Sequence, residues 1–486
     1  MLRIAFLLLL LCLAQGSAYA QLQVHEGRRY LQTLDGQPFF WLGDTDWELF
    51  HRLDRGQAIR FLDTRQRQGF NVIQAVALAE EDGLRVPNRY GDLPLVDEDP
   101  ARLATTPGDD PADPAAYDYW DHVDFIIREA ARRGMYVALL PTWGDKVAHM
   151  WGAGPIVFDE RNAEIYARTL AERYRSQWNV IWMLGGDRPA VYTFTWQGQE
   201  GSYDDRPVWR AMARGIESVL GPEAFITYHP AGGPRSTSQY IHDEPWLDIN
   251  GFQSGHGERE TPAWDWVTRD LALQPLKPTL DLEPCYEDHP VNPWDGRWTR
   301  SGRGYFDAYD VRARTYRSVL AGGCGVTYGH HQIWQFLDTA LYRPVNIGDT
   351  IIGWEKALQA KGAWQMQHLK NLVLSRPLFA RTADPALVLS SPGTDYRDRI
   401  IAARDTAGSY AMVYLPQSKP VTIDLTRLAG TSKRAWWYDP ATGRARSAGP
   451  VSNTDSQTFT PPATPQDWVL VIDDASKKYG KPGKLR

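Results

Sequence analysis

Apolar residues along this chain fall into short unbroken runs separated by stretches with apolar positions three and four apart, and the two patterns alternate. The runs are Phe39–Gly43, Asn71–Leu78, Met135–Trp143, Asn179–Gly186, Ala224–His229, Leu247–Gln253, Pro278–Glu283 and Gly325–Gly329. Most lack the in–out alternation of a half-exposed strand, as expected where both faces of a parallel sheet are covered. Helical spacing fills Arg55–Gln68, Asp121–Arg133, Asp159–Ser176, Pro207–Leu220 and Ala308–Ala321, and a last amphipathic stretch covers about Trp354–Leu374. Gly134 and Gly221 follow two of these helices, where a left-handed cap is wanted. Eight strands alternating with helices over roughly 350 residues predict an α/β fold, a (β/α)8 TIM barrel. A doubly wound open sheet is the runner-up, but it usually has fewer strands and a glycine-rich phosphate loop, which this sequence lacks. Asp82–Pro114, rich in Pro, Asp and Gly, reads as a long loop after the second strand, on the face where active sites form.

After Ser375 the pattern changes to short alternating strands at Ala386–Leu389, Ile400–Arg404, Ala411–Tyr414, Val421–Leu425, Ala435–Tyr438 and Trp468–Ile472. That is the signature of a small antiparallel β-sandwich. The linker Ser375-Arg376-Pro377-Leu378 is short and not Gly/Ser-rich, so the sandwich is expected to dock on the barrel. At the other end, Arg3 precedes the apolar stretch Ile4–Ala14, and Ala18-Tyr19-Ala20 is a small-residue cleavage site. The expected organisation is a signal peptide at 1–20, a barrel at 21–375, a sandwich at 376–475 and a flexible basic tail at 476–486. The protein is expected outside the cytoplasm, periplasmic or secreted, with no membrane association after cleavage. Beyond residue 20 only Cys285 and Cys324 remain, so stability must come from the core, with one disulfide between them as the only available staple.

Composition narrows the function. Lys plus Arg number 53 against 59 Asp plus Glu, a net charge of −6 with no long basic run, which argues against a nucleic-acid partner. The chain holds 20 Trp and 23 Tyr against 15 Phe. Rings with a polar tip suit surfaces that are partly apolar and partly wet, as a sugar is.

Catalytic groups of such a barrel project from the carboxyl ends of its strands. Here the eight runs end in Asp44 and Asp46-Trp47; Glu80 and Glu81; Trp143, Asp145 and Lys146; Asp187-Arg188; His229; Gln253 and His256; Asp281 and Glu283; and His330, His331 and Trp334. The ring is rich in carboxylates, His and Trp, and has no Gly-x-Ser-x-Gly elbow. That inventory suits glycoside hydrolysis, in which two carboxyl groups flank the scissile bond. Asp187 and Glu283 end the fourth and seventh runs, near opposite sides of the mouth, and are the expected catalytic pair. Glu287 rivals Glu283, and Asp281 reads as an orienting group. Substrate-binding roles are expected for Asp44, Asp46, Trp47, Trp143, Asp145, Lys146, Arg188, His229, Gln253, His256, His330, His331 and Trp334. Trp143 and Trp334 are candidate sugar platforms. His and Asp at strand ends also build the metal centres of barrel amidohydrolases, but those lean on a His-x-His at the first strand, where this chain has Gly43-Asp44-Thr45. No metal and no cofactor is therefore expected.

Particular motifs carry a resemblance. Trp41-Leu42-Gly43-Asp44-Thr45 with Trp47-Glu48-Leu49-Phe50-His51, Gly69-Phe70-Asn71-Val72-Ile73-Gln74 and Leu140-Pro141-Thr142-Trp143-Gly144-Asp145 are three of them. Others are Gly185-Gly186-Asp187-Arg188-Pro189, Gln253-Ser254-Gly255-His256 and Asp281-Leu282-Glu283-Pro284. With Ala435-Trp436-Trp437-Tyr438-Asp439-Pro440 and Asp467-Trp468-Val469-Leu470, the chain resembles the apiosidase-like glycoside hydrolases and their carboxy-terminal domain labelled as collagen-binding. The resemblance implies Asp187 as acid/base and Glu283 as nucleophile, retention of configuration, and a plant cell-wall glycan as substrate, such as apiose-bearing side chains of pectic rhamnogalacturonan II. Unlike the wider clan of retaining barrel glycosidases, the acid/base is an aspartate after two glycines, not a glutamate after asparagine. Two other classes compete: a carbohydrate-binding protein with an inactive barrel, and a metal-dependent barrel hydrolase whose activity a chelator would abolish.

Overall fold

The computed structural model describes residues 22–196, 198–233, 235–295, 302–342, 345, 352–463 and 466–485; the expected leader lies outside them. Eight parallel strands form one sheet: β1 (Trp41–Thr45), β2 (Val72–Val76), β3 (Tyr136–Leu140), β4 (Val180–Gly185), β5 (Ile226–His229), β6 (Asn250–Phe252), β7 (Thr279–Asp281) and β8 (Gly325–Tyr328). Their order is β5-β4-β3-β2-β1-β8-β7-β6, a barrel opened only between β5 and β6. That seam is drawn together by Asp248 N–H on the Ile226 carbonyl (2.9 Å) and a parallel bridge between Gly232 and Gln253. Every residue of the eight strands is buried, which is why the sequence shows runs rather than alternation. The register sets His229 opposite Gly185, Asp44 opposite Tyr328 and Phe252 opposite Asp281, so the polar strand ends reach one level.

The longer helices are α1 (Arg55–Arg67), α2 (Tyr119–Arg132), α3 (Glu160–Tyr174), α4 (Arg206–Leu220), α5 (Ala263–Leu271), α6 (Ala308–Leu320) and α7 (Lys361–Leu374). Asp54, Asp118, Asp159 and Asp307 each cap a helix, the side chain accepting from the backbone N–H three residues on. Gly134 and Gly221 adopt the expected positive φ, 68° and 81°.

Some elements depart from expectation. The stretch Trp354–Leu374 is broken into Trp354–Ala357 and α7, with Leu358–Ala360 between. Helix α5 carries Trp264, Val267 and Leu271 at the right spacing but is only nine residues long. An antiparallel hairpin, Val191–Trp196 with Gln199–Asp204, inserts between β4 and α4, and its outer strand is too polar to register as a strand.

The sandwich follows as β9 (Arg381–Ala383), β10 (Ile401–Asp405), β11 (Tyr410–Leu415), β12 (Val421–Asp424), β13 (Lys433–Asp439), β14 (Arg444–Ser447), β15 (Ser456–Phe459) and β16 (Trp468–Asp474). Six form one sheet in the order β9-β10-β11-β16-β13-β14, and β12 pairs with β15. The expected strand Ala386–Leu389 opens instead as a 3-10 turn, Pro385–Leu387, where Pro385 fixes the local φ, and only its end pairs, Val388 bridging to Ile423 of β12. Strict alternation divides the sheet: Leu470, Ile472, Val413 and Trp437 line the core of the sandwich, while Val469, Val471, Met412, Tyr414 and Tyr438 join the core of the barrel. Trp436 is half-buried beside Arg434, so neither tryptophan of this strand stands free.

Polar contacts seal the same interface. Arg312 on α6 donates through Nε (2.9 Å) and Nη2 (2.7 Å) to Asp467, which also accepts from Tyr414 Oη (3.0 Å). Tyr438 Oη donates to the His368 carbonyl on α7 (2.8 Å). The segment expected to fray packs back instead: Arg376 donates to the Gly480 carbonyl (3.1 Å) and Gly483 N–H to Ser375 Oγ (3.2 Å). Cys285 and Cys324 are buried free thiols, not a disulfide.

Candidate active site

Asp187 sits on a contorted turn at the end of β4. Gly185, Gly186 and Asp187 all have positive φ, 86°, 119° and 50°. A Cβ at Gly185 would collide with the His229 carbonyl, and one at Gly186 would lie 2.7 Å from the Gly144 nitrogen. Only glycine fits both places, which explains the Gly-Gly before the acid. A non-glycine residue held in the left-handed region is strained, and the surrounding bonds hold it there. Asp187 N–H donates to His229 Nδ1 (3.2 Å) and the Arg188 guanidinium donates to the Asp187 carbonyl (2.7 Å) and carboxylate (3.1 Å). The indole N–H of Trp151 donates to the same Oδ2 (3.4 Å). The carboxyl remains about a quarter exposed, 25%.

Glu283 lies past the end of β7, nearly buried between two imidazoles. His256 Nε2 is 3.0 Å from Oε1 and His229 Nε2 is 3.2 Å from Oε2. Each ring's other nitrogen accepts a backbone N–H: His229 Nδ1 from Asp187 and His256 Nδ1 from Tyr286 (3.3 Å). That fixes both rings as the Nε2–H tautomer, with the His256 proton directed at Glu283 Oε1 and the His229 Nε2 close to Oε2 but not aligned for a hydrogen bond. His229 thus links the backbone of one carboxylic acid to the side chain of the other.

The two acids are pushed apart electrostatically. Burial raises the Glu283 pKa, but His229 and His256 overcome it and bring the carboxyl down to about 2. Burial raises Asp187, Arg188 opposes, and the negative charge of Glu283 raises it again. Asp187 therefore holds its proton more tightly than an ordinary aspartate while Glu283 stays ionised.

The other candidates sort by position. Trp47 and Trp143 pack on each other at 5.0 Å, and Trp47 meets His229 edge-on at 5.1 Å. Trp143 and Trp334 are only 3% and 6% exposed, so they form wall and floor rather than open platforms. Asp44 is wholly buried in an ion pair with Arg65, behind the mouth, and Asp46 beside it shares the enclosure; burial and their mutual repulsion raise Asp46 well above the carboxylate range. Lys146, also wholly buried, donates to Asp145 (2.8 Å), whose other oxygen accepts from Gly154 N–H (2.9 Å) and so ties down the β3 loop. Asp44, Lys146 and Asp145 are taken up in fold contacts, because a charge buried in a barrel needs a partner. Gln253 is 6% exposed beside the seam with Gly232. His330 is driven down to about 3 by burial, with Arg65 and His331 adding. His331 meets His289 edge-on (4.7 Å), and His289 stacks on His256 (4.2 Å).

Glu287 is occupied elsewhere: it accepts from Tyr328 Oη (2.8 Å) and Gly362 N–H (2.9 Å), joining β8 to α7. Asp281 accepts from Ser254 N–H (3.2 Å) and Oγ (2.7 Å) and is pushed up by burial to about 6. Sequence reasoning passed over Tyr286, whose ring lies against His256 (4.3 Å) and whose hydroxyl burial and then the Glu283 charge push up. It also passed over Trp151, well beyond the end of its strand. Among the described residues no group of three or more His, Cys, Asp or Glu is arranged to hold a metal ion. Nor is any described helix long and apolar enough to cross a membrane.

Residues 25–380 match the family model "Apiosidase-like, catalytic domain". The chain belongs to the apiosidase-like family. Residues 383–473 match a second model, "Putative collagen-binding domain of a collagenase". The apiosidase-like chain is similar over its length to a solved glycoside hydrolase: 32% identity, 95% of this chain and 98% of that one, TM-score 0.82. A glycoside hydrolase family 5 structure from Bacteroides vulgatus is as near, at 32% identity over 96% of each chain with TM-score 0.81. No curated protein matches the chain. As an apiosidase-like protein it is a glycoside hydrolase, and a carbohydrate is its class of substrate.

Proposed function

We propose that this glycoside hydrolase cleaves its substrate with retention, Asp187 acting as acid/base and Glu283 as nucleophile. One observation carries the reading: two carboxylic acids brought together by His229, which touches the backbone of one and the carboxylate of the other, have pKa values moved in opposite directions, one up and one down. Such a divergence is how a site assigns acid and base roles to two like groups. In the first step the Asp187 proton passes to the glycosidic oxygen as the Glu283 carboxylate attacks the anomeric carbon, and the C–O bond to the leaving group breaks. In the second, the Asp187 carboxylate takes a proton from water, whose oxygen displaces Glu283 from the glycosyl ester. His229 and His256 hold the nucleophile ionised and aimed. The expected separation of the two carboxyl groups in the bound state is about 5–5.5 Å.

The substrate proposed is a plant cell-wall glycan with an apiose-type furanoside on pectic rhamnogalacturonan II side chains; the family description supports the apiose. The site of action is periplasmic or extracellular, which the leader-like residues 1–20 support. The test is a panel of plant-wall oligosaccharides with released sugars identified by anion-exchange chromatography, followed by an NMR time course of the anomer. Release of apiose with its starting configuration first is expected; the inverted anomer first would overturn retention, and release of another sugar alone would overturn the substrate.

A further inference from the structure

Trp151 stands out in this molecule: a large indole 46% exposed, yet held firmly. Its carbonyl accepts from Arg188 Nη2, the Arg188 guanidinium lies over the ring at 4.4 Å, and Phe194 meets it edge-on at 6.2 Å. Phe194 comes from the inserted hairpin, which does not belong to the barrel's core. The hairpin and the β3 loop share a small apolar cluster of their own, Ala148, Met150 and Tyr192, and Tyr192 Oη accepts from the His149 N–H (2.8 Å). Chain that the barrel does not need has thus been built into a mount for one exposed ring.

Its position gives the mount a purpose. The indole N–H lies 3.4 Å from Asp187 Oδ2. A carboxyl that protonates a glycosidic oxygen must come within about 2.6–3.2 Å of it, so a group bonded to that carboxyl borders the departing residue. A sugar ring offers an apolar C–H face rimmed by hydroxyls, and indole offers an apolar face with one polar edge. We propose that Trp151 is the platform on which the departing sugar ring rests. The proposal rests on Asp187 being the acid.

The test uses the full-length enzyme with two kinds of substrate: apiose-bearing oligosaccharides from rhamnogalacturonan II, and methyl apioside, whose leaving group has no ring. Trp151→Phe removes only the indole N–H on Asp187 while Trp151→Ala removes the ring as well, so KM on the oligosaccharide is expected to be roughly tenfold higher in Trp151→Ala than in Trp151→Phe, and methyl apioside hydrolysis to differ between the two by less than about twofold. An unchanged KM on the oligosaccharide, or an equal loss on both substrates, would overturn the platform. Asp187→Asn is assayed alongside. If it keeps more than about a tenth of the wild-type rate, the acid assignment falls and the platform with it; an inactive Asp187→Asn beside an unchanged Trp151→Ala overturns the platform alone.

Discussion

Replacing Asp467 with alanine should damage this protein more than any single surface change, although the residue lies far from the mouth in sequence and role. Asp467 is fully buried in the sandwich and receives two hydrogen bonds from Arg312, 6% exposed on α6, and one from Tyr414. Burial pulls the Arg312 pKa down and Asp467 raises it past its ordinary value, so the guanidinium depends on this partner. Asp467→Ala leaves a buried cation without its counter-charge, at a cost of about 3–5 kcal/mol. Arg312→Met with Asp467→Ala removes both charges and should restore most of that loss, since well-packed apolar replacements of a buried pair are often neutral. The assay is guanidinium denaturation of wild type, both singles and the double, followed by near-UV circular dichroism. Because the two cores are continuous through Tyr414, Tyr438 and Val471, wild type should unfold in one transition. A cost below about 1 kcal/mol for Asp467→Ala, or separate transitions for barrel and sandwich, would refute the argument that the domains share one stability.

Further outcomes follow from the site. Gly186→Ala puts a methyl 2.7 Å from the Gly144 nitrogen at a φ of 119°, so it should cost about 1–3 kcal/mol in thermal denaturation and lower kcat at least tenfold by displacing Asp187; wild-type turnover would contradict the geometry. The proposed first step needs Glu283 ionised and Asp187 protonated, so kcat/KM should fall on the acid side near the Glu283 value of about 2 and on the alkaline side above the usual aspartate range. His256→Phe removes one donor and leaves burial less opposed, so the acid limb should climb by about one pH unit or more, and an unmoved limb would contradict the assigned role. The sign for stability agrees: the depressed Glu283 stabilises the fold above its unfolded value of 4.5 and loses that contribution as pH falls towards 2.

Much of the fold was legible because parallel strands buried on both faces leave continuous apolar runs: seven of the barrel strands lie within the runs read from the sequence, and β1 overruns its run, Phe39–Gly43, by Asp44 and Thr45. What the runs missed was polar or short: β14, with Arg444, Ala445, Arg446 and Ser447 mostly exposed, and the hairpin strand Gln199–Asp204 carry almost no apolar signal. Strand ends located Asp187, Glu283, His229 and His256, because chain position fixes which residues reach the mouth. Strand ends could not say which way a side chain faces. Asp44 and Lys146 end their runs like the others, but Arg65 from α1 and Asp145 meet them inside the wall, contacts that depend on helix packing. Trp151 was illegible for the opposite reason: its neighbour Phe194 lies 43 residues on, and only the folded hairpin brings them together.

The central claim is that Asp187 and Glu283 carry the chemistry, and the most direct measurement is turnover of Asp187→Asn and Glu283→Gln on rhamnogalacturonan II oligosaccharides, with circular dichroism confirming that each variant is folded. Both substitutions keep shape and lose proton transfer or nucleophilicity, so each should lower kcat by at least about 10²–10⁴. A folded variant of either kind that keeps more than about a tenth of the wild-type rate would contradict the assignment.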